Sequence, residues 1–113
     1  ASLEPYAEKY DPALQVWEAL PQRLGPRPVD SVSIAALHCR LYLIGGLLTF
    51  DNGERAETTS VGSMQCYNPR DNSWELLRSM PQARHLAVAA AVAGQIYVFG
   101  GESTYRYTKS CGI

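Results

Sequence analysis

Residues 95–101 read QIYVFGG, and residues 40–46 read RLYLIGG. Each is a short apolar run with Tyr in the third place and two glycines at its end. β-Branched and aromatic residues favour a pleated strand. Glycine is the default where the backbone must take positive φ or pass close to another segment. A strand that ends on two glycines therefore leaves a crowded place by a forced turn. Its occurrence twice in one chain indicates an internal repeat.

The residues between carry the same repeat. Tyr10 precedes Asp11, Pro12 and then Trp17, and Tyr67 precedes Asn68, Pro69 and then Trp74. Each Trp-Glu opens a stretch that ends in Pro, WEALP at 17–21 and WELLRSMP at 74–81. Tyr67 lies 57 residues after Tyr10, Trp74 lies 57 after Trp17, and Gly100 lies 55 after Gly45. This period is close to the ~50 residues of one four-stranded propeller blade.

The order Gly-Gly, Tyr, six residues, Trp resembles the kelch motif. Over nearly all of residues 5–101 the chain resembles the C-terminal propeller of the BTB-kelch (kelch-like) adaptor proteins. That resemblance implies an all-β fold of kelch-type β-propeller blades, four-stranded antiparallel meanders. The chain holds about two blades' worth of strands where closed propellers use 4–8, an incomplete propeller. On this reading residues 5–20 are the second half of a blade, with strands at 5–10 and 15–20. Residues 32–78 form a full blade, with strands at 32–38, 40–46, 61–67 and 73–78. Residues 86–113 begin a further blade, with strands at 86–92 and 95–101 and a tail that alternates weakly at Tyr105 and Tyr107. The chain starts at Ala1, and a piece of a longer protein is the expectation.

Ala-rich 87–93 (AVAAAVA) could be read as helix, because Ala is the best helix former. Gly94 and the β-branched run after it leave too few residues, so a strand is expected. Small side chains also suit strands that converge on a crowded propeller axis. Tyr10, Trp17, Tyr42, Tyr67, Trp74 and Tyr97 recur at blade period and are expected to pack, as are the backbone sites Gly45, Gly46, Gly100 and Gly101. Asp11-Pro12 and Asn68-Pro69 are turn chemistry.

Composition narrows the function. The chain has 113 residues and a net charge of −1, without the basic stripe of a nucleic-acid binder. No apolar stretch approaches the ~18 residues of a membrane span. Cys39, Cys66 and Cys111 are odd in number and widely spaced, which predicts no metal site and fits a reduced, cytoplasmic compartment. No cofactor is expected. There is no phosphate loop, no G-x-S-x-G elbow and no metal-spaced cluster. His38 falls at a short turn on the opposite face from His85, so the two share no site. The chain is not expected to be an enzyme.

Loop length marks the functional face. Successive strands of a blade are antiparallel, so the 2→3 and 4→1 connections leave on one face. The 1→2 turns at His38-Cys39 and Ala93-Gly94 are short, whereas 21–31, 47–60 and 79–85 are long and share that first face. Long loops on a rigid scaffold are where binding concentrates. The expected partner-binding residues are Arg27, Asp30, Phe50, Asp51, Glu54, Arg55, Arg84, His85 and Glu102. Arg84 stands just before an inner strand, where the kelch-like resemblance places an arginine able to grip a carboxylate with two hydrogen bonds. The resemblance further implies a protein or peptide partner and the substrate-recognition propeller of a cullin-3 ubiquitin ligase adaptor. Cullin-3 would be reached only through a BTB domain, which these residues do not include. The alternatives are an actin- or cytoskeleton-binding kelch protein and a fragment of a kelch-propeller enzyme such as a copper oxidase.

Overall fold

In the computed structural model, residues 7–24, 29–51, 53–54, 56–105 and 108–111 are described. The described residues contain strands and no helix. In chain order the strands are β1 (Glu8–Asp11), β2 (Val16–Ala19), β3 (Val29–Asp30), β4 (Ser33–Leu37), β5 (Arg40–Ile44), β6 (Leu47–Asp51) and β7 (Ala56–Ser60). They continue with β8 (Met64–Asn68), β9 (Ser73–Leu77), β10 (Val88–Val92), β11 (Gln95–Phe99), β12 (Glu102–Tyr105) and β13 (Thr108–Cys111).

The full blade is the antiparallel sheet β4-β5-β8-β9. Its strands fall inside or within one residue of the segments expected from the repeat. Tyr42 stands opposite Ala35 on one side and Cys66 on the other, and Tyr67 stands opposite Trp74. Two-stranded sheets flank it in sequence. β1 pairs with β2, setting Tyr10 opposite Trp17, and β10 pairs with β11, setting Ala90 opposite Tyr97. The Ala-rich segment is therefore strand β10, and it packs against β4. Ser33 Oγ donates to the Ala87 carbonyl at 2.8 Å, tying the two inner strands together.

The backbone repeats as faithfully as the sequence. Positive φ occurs in pairs 55 apart at Ser31 and Leu86, His38 and Ala93, Cys39 and Gly94, Gly45 and Gly100, and Gly46 and Gly101. Gln15 and Asn72, 57 apart, form a sixth pair. At His38-Cys39 and Ala93-Gly94 both central residues are left-handed, with φ of 52° and 63° and of 52° and 78°. That twist is the one a two-residue hairpin needs to match its flanking strands. Asp11 Oδ1 accepts from the Ala13 amide at 2.9 Å, and Asn68 Oδ1 accepts from the Arg70 amide at 3.0 Å. Both are turns in which the side chain stands in for a backbone acceptor.

The glycine pairs have a steric cause as well as a dihedral one. A Cβ on Gly45 would collide with the Arg84 carbonyl oxygen and lie 3.1 Å from Met80 Cε. A Cβ on Gly101 would lie 2.9 Å from both the His85 carbonyl oxygen and Ala87 Cβ. Each pair is the place where the 4→1 connection before an inner strand crosses the end of a second strand. The core lies in the full blade, where Ala35, Leu43, Ile44, Cys66 and Tyr67 are buried.

The long connections differ from the expectation of loops. Leu47–Asp51 and Ala56–Ser60 pair as the hairpin β6–β7, with Phe50 opposite Glu57, and β3 joins its edge. Glu102–Tyr105 and Thr108–Cys111 pair as a second hairpin, β12–β13. By pairing with each other, the ten residues of β6 and β7 satisfy their own backbone groups, which an irregular loop would leave to water.

Candidate partner-binding face

The long-connection end of the molecule is built by the same pairing in both repeats. In the first, Asp30 of β3 pairs with Leu47 of β6. In the second, His85 and Glu102 form a bridge, each amide donating to the other's carbonyl at 2.9 Å. Asp30 and His85 are 55 apart, as are Leu47 and Glu102. Each 4→1 connection thus clamps the first residue of the 2→3 hairpin in its own blade. The Leu86 amide donates to the Ser31 carbonyl at 3.1 Å, joining successive connections, and β12 packs beside β7. The hairpins therefore stand as adjacent blades of one rim.

Polar side chains brace that rim from within. Ser60 Oγ lies 2.8 Å from His85 Nδ1 and donates at 3.4 Å to the Glu102 carbonyl, while His85 Nε2 lies 4.0 Å from Glu102 Oε1. Ser60 is 8% exposed and His85 7%. A buried polar group must find partners, and these three find one another across two repeats. His85 accordingly supports the face from inside instead of presenting its ring.

Arg84 sits at the crossing of the two repeats. Its amide donates to the Val61 carbonyl at 3.2 Å, and its carbonyl accepts from the Gly46 amide at 2.8 Å. Its guanidinium Nη1 donates to the Gly100 carbonyl at 3.0 Å. The side chain is half-buried, so one donor is committed to the second glycine pair while part of the group reaches solvent. Glu54 is exposed at the tip of the β6–β7 hairpin, and Glu102 is half-buried beside His85. Asp30, Phe50 and Asp51 lie on β3 and β6 at the same end. Arg27 and Arg55 fall outside the described residues. The structure thus brings Arg84, His85 and Glu102 together, with Asp30 at the matching place one repeat earlier.

Sequence reasoning missed two braces. Gln65, 3% exposed, grips Leu24 twice: the Leu24 amide donates to Oε1 at 3.0 Å, and Nε2 donates to the Leu24 carbonyl at 3.1 Å. Trp74 Nε1 donates to the Pro21 carbonyl at 2.8 Å, so the 4→1 connection at 21–24 is tied to the following blade. Ser60 is the other omission, and its only signal was its place at the end of the 47–60 segment.

At the opposite end lies an open groove of about 700 Å³ between the two short turns, lined by Ala36, His38, Cys39, Arg40, Leu41, Asn68, Pro69 and Arg70. His38 stands there, remote from His85, at a left-handed turn position. In the full blade, burial raises the Tyr42 phenol above its ordinary 10.0, and the neighbouring Cys66 adds to the effect. Among the described residues, no helix is long and apolar enough to cross a membrane.

The kelch-motif family model matches residues 30–81, which span the full blade. Kelch-like protein 25 of Xenopus tropicalis is 30% identical over 99 residues, 87% of this chain and 15% of the relative. Kelch-like protein 35 of Mus musculus is 30% identical over 93% of this chain and 17% of its own length. Kelch-like ECH-associated protein 1A of Danio rerio is 31% identical over 83% of this chain and 15% of its own length. The chain thus spans less than a fifth of these relatives' length. Among solved structures, YjhT, a kelch-type propeller, superposes with a TM-score of 0.64 at 30% identity, covering 78% of this chain and 25% of that one. The repeat, the meander blade and these likenesses agree, and the chain belongs to the kelch-repeat family.

Proposed function

We propose that this chain is a protein-interaction module whose partner sits on the rim built by the β6–β7 and β12–β13 hairpins and the 4→1 connections. One observation carries the reading: the two ends of the blades are built differently. One end has two-residue turns with fixed left-handed dihedrals, and the other carries paired hairpins that vary between repeats. Variable structure on a repeated frame is how a rigid scaffold acquires specificity. The kelch-like relatives support a finer reading, in which the whole protein is a cytoplasmic substrate-recognition adaptor of a cullin-3 ubiquitin ligase. The role is binding and not catalysis.

The test uses the whole protein in cells and compares two charge reversals. Glu54→Lys alters the exposed hairpin tip, and Arg70→Glu alters the opposite, short-turn end. The expected result is that co-purifying proteins are lost with Glu54→Lys and kept with Arg70→Glu. The reverse pattern would move the binding face to the other end. For the adaptor role, cullin-3 should co-purify with both variants, and ubiquitination of the captured partner should fail only with Glu54→Lys.

A further inference from the structure

Among the described residues, left-handed positions other than glycine fall into two groups. Gln15, His38, Cys39, Asn72 and Ala93 lie in the tight turns between paired strands. There the twist of the flanking strands sets the sign of φ. Ser31 and Leu86 lie elsewhere, in the two 4→1 connections, each between the residue that clamps the 2→3 hairpin and the inner strand that follows.

Leu86 is the outlier of that pair. Its φ is 60° and it is 61% exposed. In the left-handed region Cβ crowds the following carbonyl oxygen, and a bulky side chain is seldom found there. A leucine taken out of water could offset that cost. Leu86 recovers little of it, because most of its surface stays in solvent.

The joint between successive blades does not explain the leucine. The Leu86 amide donates to the Ser31 carbonyl at 3.1 Å, so backbone makes this joint. Ser31 is polar and remains only half-buried with the following connection already against it. A further repeat joined in the same way would meet the Leu86 carbonyl. The outer part of a side chain longer than that of serine would still stand in solvent.

Its position on the rim does explain it. His85, buried and held by Ser60 and by the bridge to Glu102, fixes the backbone from which Leu86 projects. Arg84, on the other side of His85, is half-buried and gives one donor to the Gly100 carbonyl. An apolar side chain and a partly solvated guanidinium are thus presented two residues apart on a rigid frame.

We propose that Leu86 is an apolar anchor for the partner, and that the protein segment it receives carries a large apolar side chain beside a carboxylate. This rests on the rim being the binding face, and it adds the chemistry that the rim accepts. Association removes from water the apolar surface that the fold leaves open. A fixed backbone loses little freedom when that happens. The carboxylate answers Arg84, whose remaining donors can make charge-assisted hydrogen bonds. A costly backbone conformation held in place by its surroundings belongs at such a clamp.

The test uses the whole protein and a phage-displayed library of random peptides as the probe. Leu86→Asn removes the apolar side chain and accepts left-handed backbone more readily than leucine does. Its melting temperature should rise, while its affinity for peptides selected on the unaltered protein should fall about tenfold. Leu86→Met keeps an apolar side chain at the same φ and should hold affinity within about twofold. The selected peptides should share a large apolar residue next to an acidic one. Selection on Leu86→Asn should lose the apolar preference and keep the acidic one. Ala93→Gly, at the opposite end, should raise the melting temperature and leave affinity unchanged. A lower melting temperature in Leu86→Asn would show that the side chain packs within the fold, and would overturn the anchor. Equal loss of affinity in Leu86→Met, or a selection without a shared apolar residue, would also overturn it. Glu54→Lys separates the two levels of the argument. Peptides released by Glu54→Lys and retained by Leu86→Asn bind the rim without this anchor, which defeats the inference alone. Peptides that neither variant releases bind elsewhere, which defeats the inference and the rim together.

Discussion

Tyr67–Trp74 and Tyr10–Trp17 are the same motif in two settings. The ring centroids lie 5.1 Å apart at 52° in the first and 4.9 Å apart at 44° in the second. Local geometry is thus nearly identical. Burial is not: Tyr67 is enclosed and Trp74 is hydrogen-bonded to the preceding connection, whereas Trp17 is 66% exposed. A hairpin register brings the two rings together without help, since cross-strand neighbours on one face touch as a matter of strand spacing. Taking them out of water requires strands one and two of the same blade and the neighbouring connection. The motif therefore specifies a contact, and its energetic worth is set by what the rest of the propeller lays over it.

The largest effect expected from this comparison is at the tyrosines. Tyr67→Ala should destabilise the full blade by about 3–5 kcal/mol, the usual cost of deleting a buried aromatic ring. Tyr10→Ala in the same chain, read at a concentration where it is monomeric, should cost less than about 1 kcal/mol, because an exposed ring has little burial to lose. Urea midpoints of the two variants make the measurement. Equal costs would mean that the pair contributes through its local contact alone, and the distinction between the full blade and the half-blade would fail.

The glycine pairs give the next contrast. Gly45 and Gly100 are equivalent, with φ of 69° and 65°. Around Gly100 a Cβ meets nothing within 4 Å, whereas at Gly45 it meets the Arg84 carbonyl. Gly100→Ala should cost about 1–2 kcal/mol for the left-handed backbone. Gly45→Ala adds a clash with backbone that cannot step aside, for a total of about 2–5 kcal/mol. Thermal denaturation of both variants reads the difference. If the two fall together, φ alone explains the motif, and the close approach of the 4→1 connection contributes nothing.

Much of this was legible in the sequence because it repeats. The glycine pairs, the two Tyr-x6-Trp units and the small residues of β10 each announce a position in the blade, and every inner and outer strand lay where the period placed it. The hairpins were not legible. LLTFD and AETTS lack clean alternation, and NGER between them reads as loop, so the pairing of β6 with β7 was visible only once β3 and the second repeat framed it. The braces were hidden for a related reason. Gln65 and Ser60 are ordinary polar residues in sequence, and what gives them roles is a partner 41 residues away in one case and 25 in the other. Long-range polar complementarity leaves no periodic trace.

Arg84 tests whether a residue at the rim serves the fold or the partner. Its bond to the Gly100 carbonyl joins two blades, so Arg84→Ala should lower stability by about 1 kcal/mol, the net worth of a partly solvated hydrogen bond. In the complete propeller the same change should weaken partner binding by about 1–3 kcal/mol, through loss of the donors that face solvent. Affinity and melting temperature are measured on the one variant. Unchanged affinity with a lowered melting temperature would assign Arg84 wholly to the joint between blades.

The smallest effect separates the half-buried strand-two tyrosine from its surroundings by pH. Burial holds the Tyr42 phenol above its ordinary 10.0, Cys66 and Glu75 push in the same direction, and Arg40 opposes them. A group whose folded pKa lies above its unfolded value favours the folded state in its protonated form. Its contribution is complete below the unfolded pKa, and it is lost as pH rises through the folded one. The full blade should therefore lose stability in the alkaline range, with the loss starting near pH ~10. Tyr42→Phe removes the titrating group and keeps the ring, so it should flatten this alkaline limb and leave the midpoint at neutral pH little changed. Urea midpoints at pH ~8 and pH ~11 for the two proteins decide it. An alkaline loss of the same size in Tyr42→Phe would place its origin in another group. A large destabilisation of Tyr42→Phe at neutral pH would show that the hydroxyl makes a contact the blade depends on.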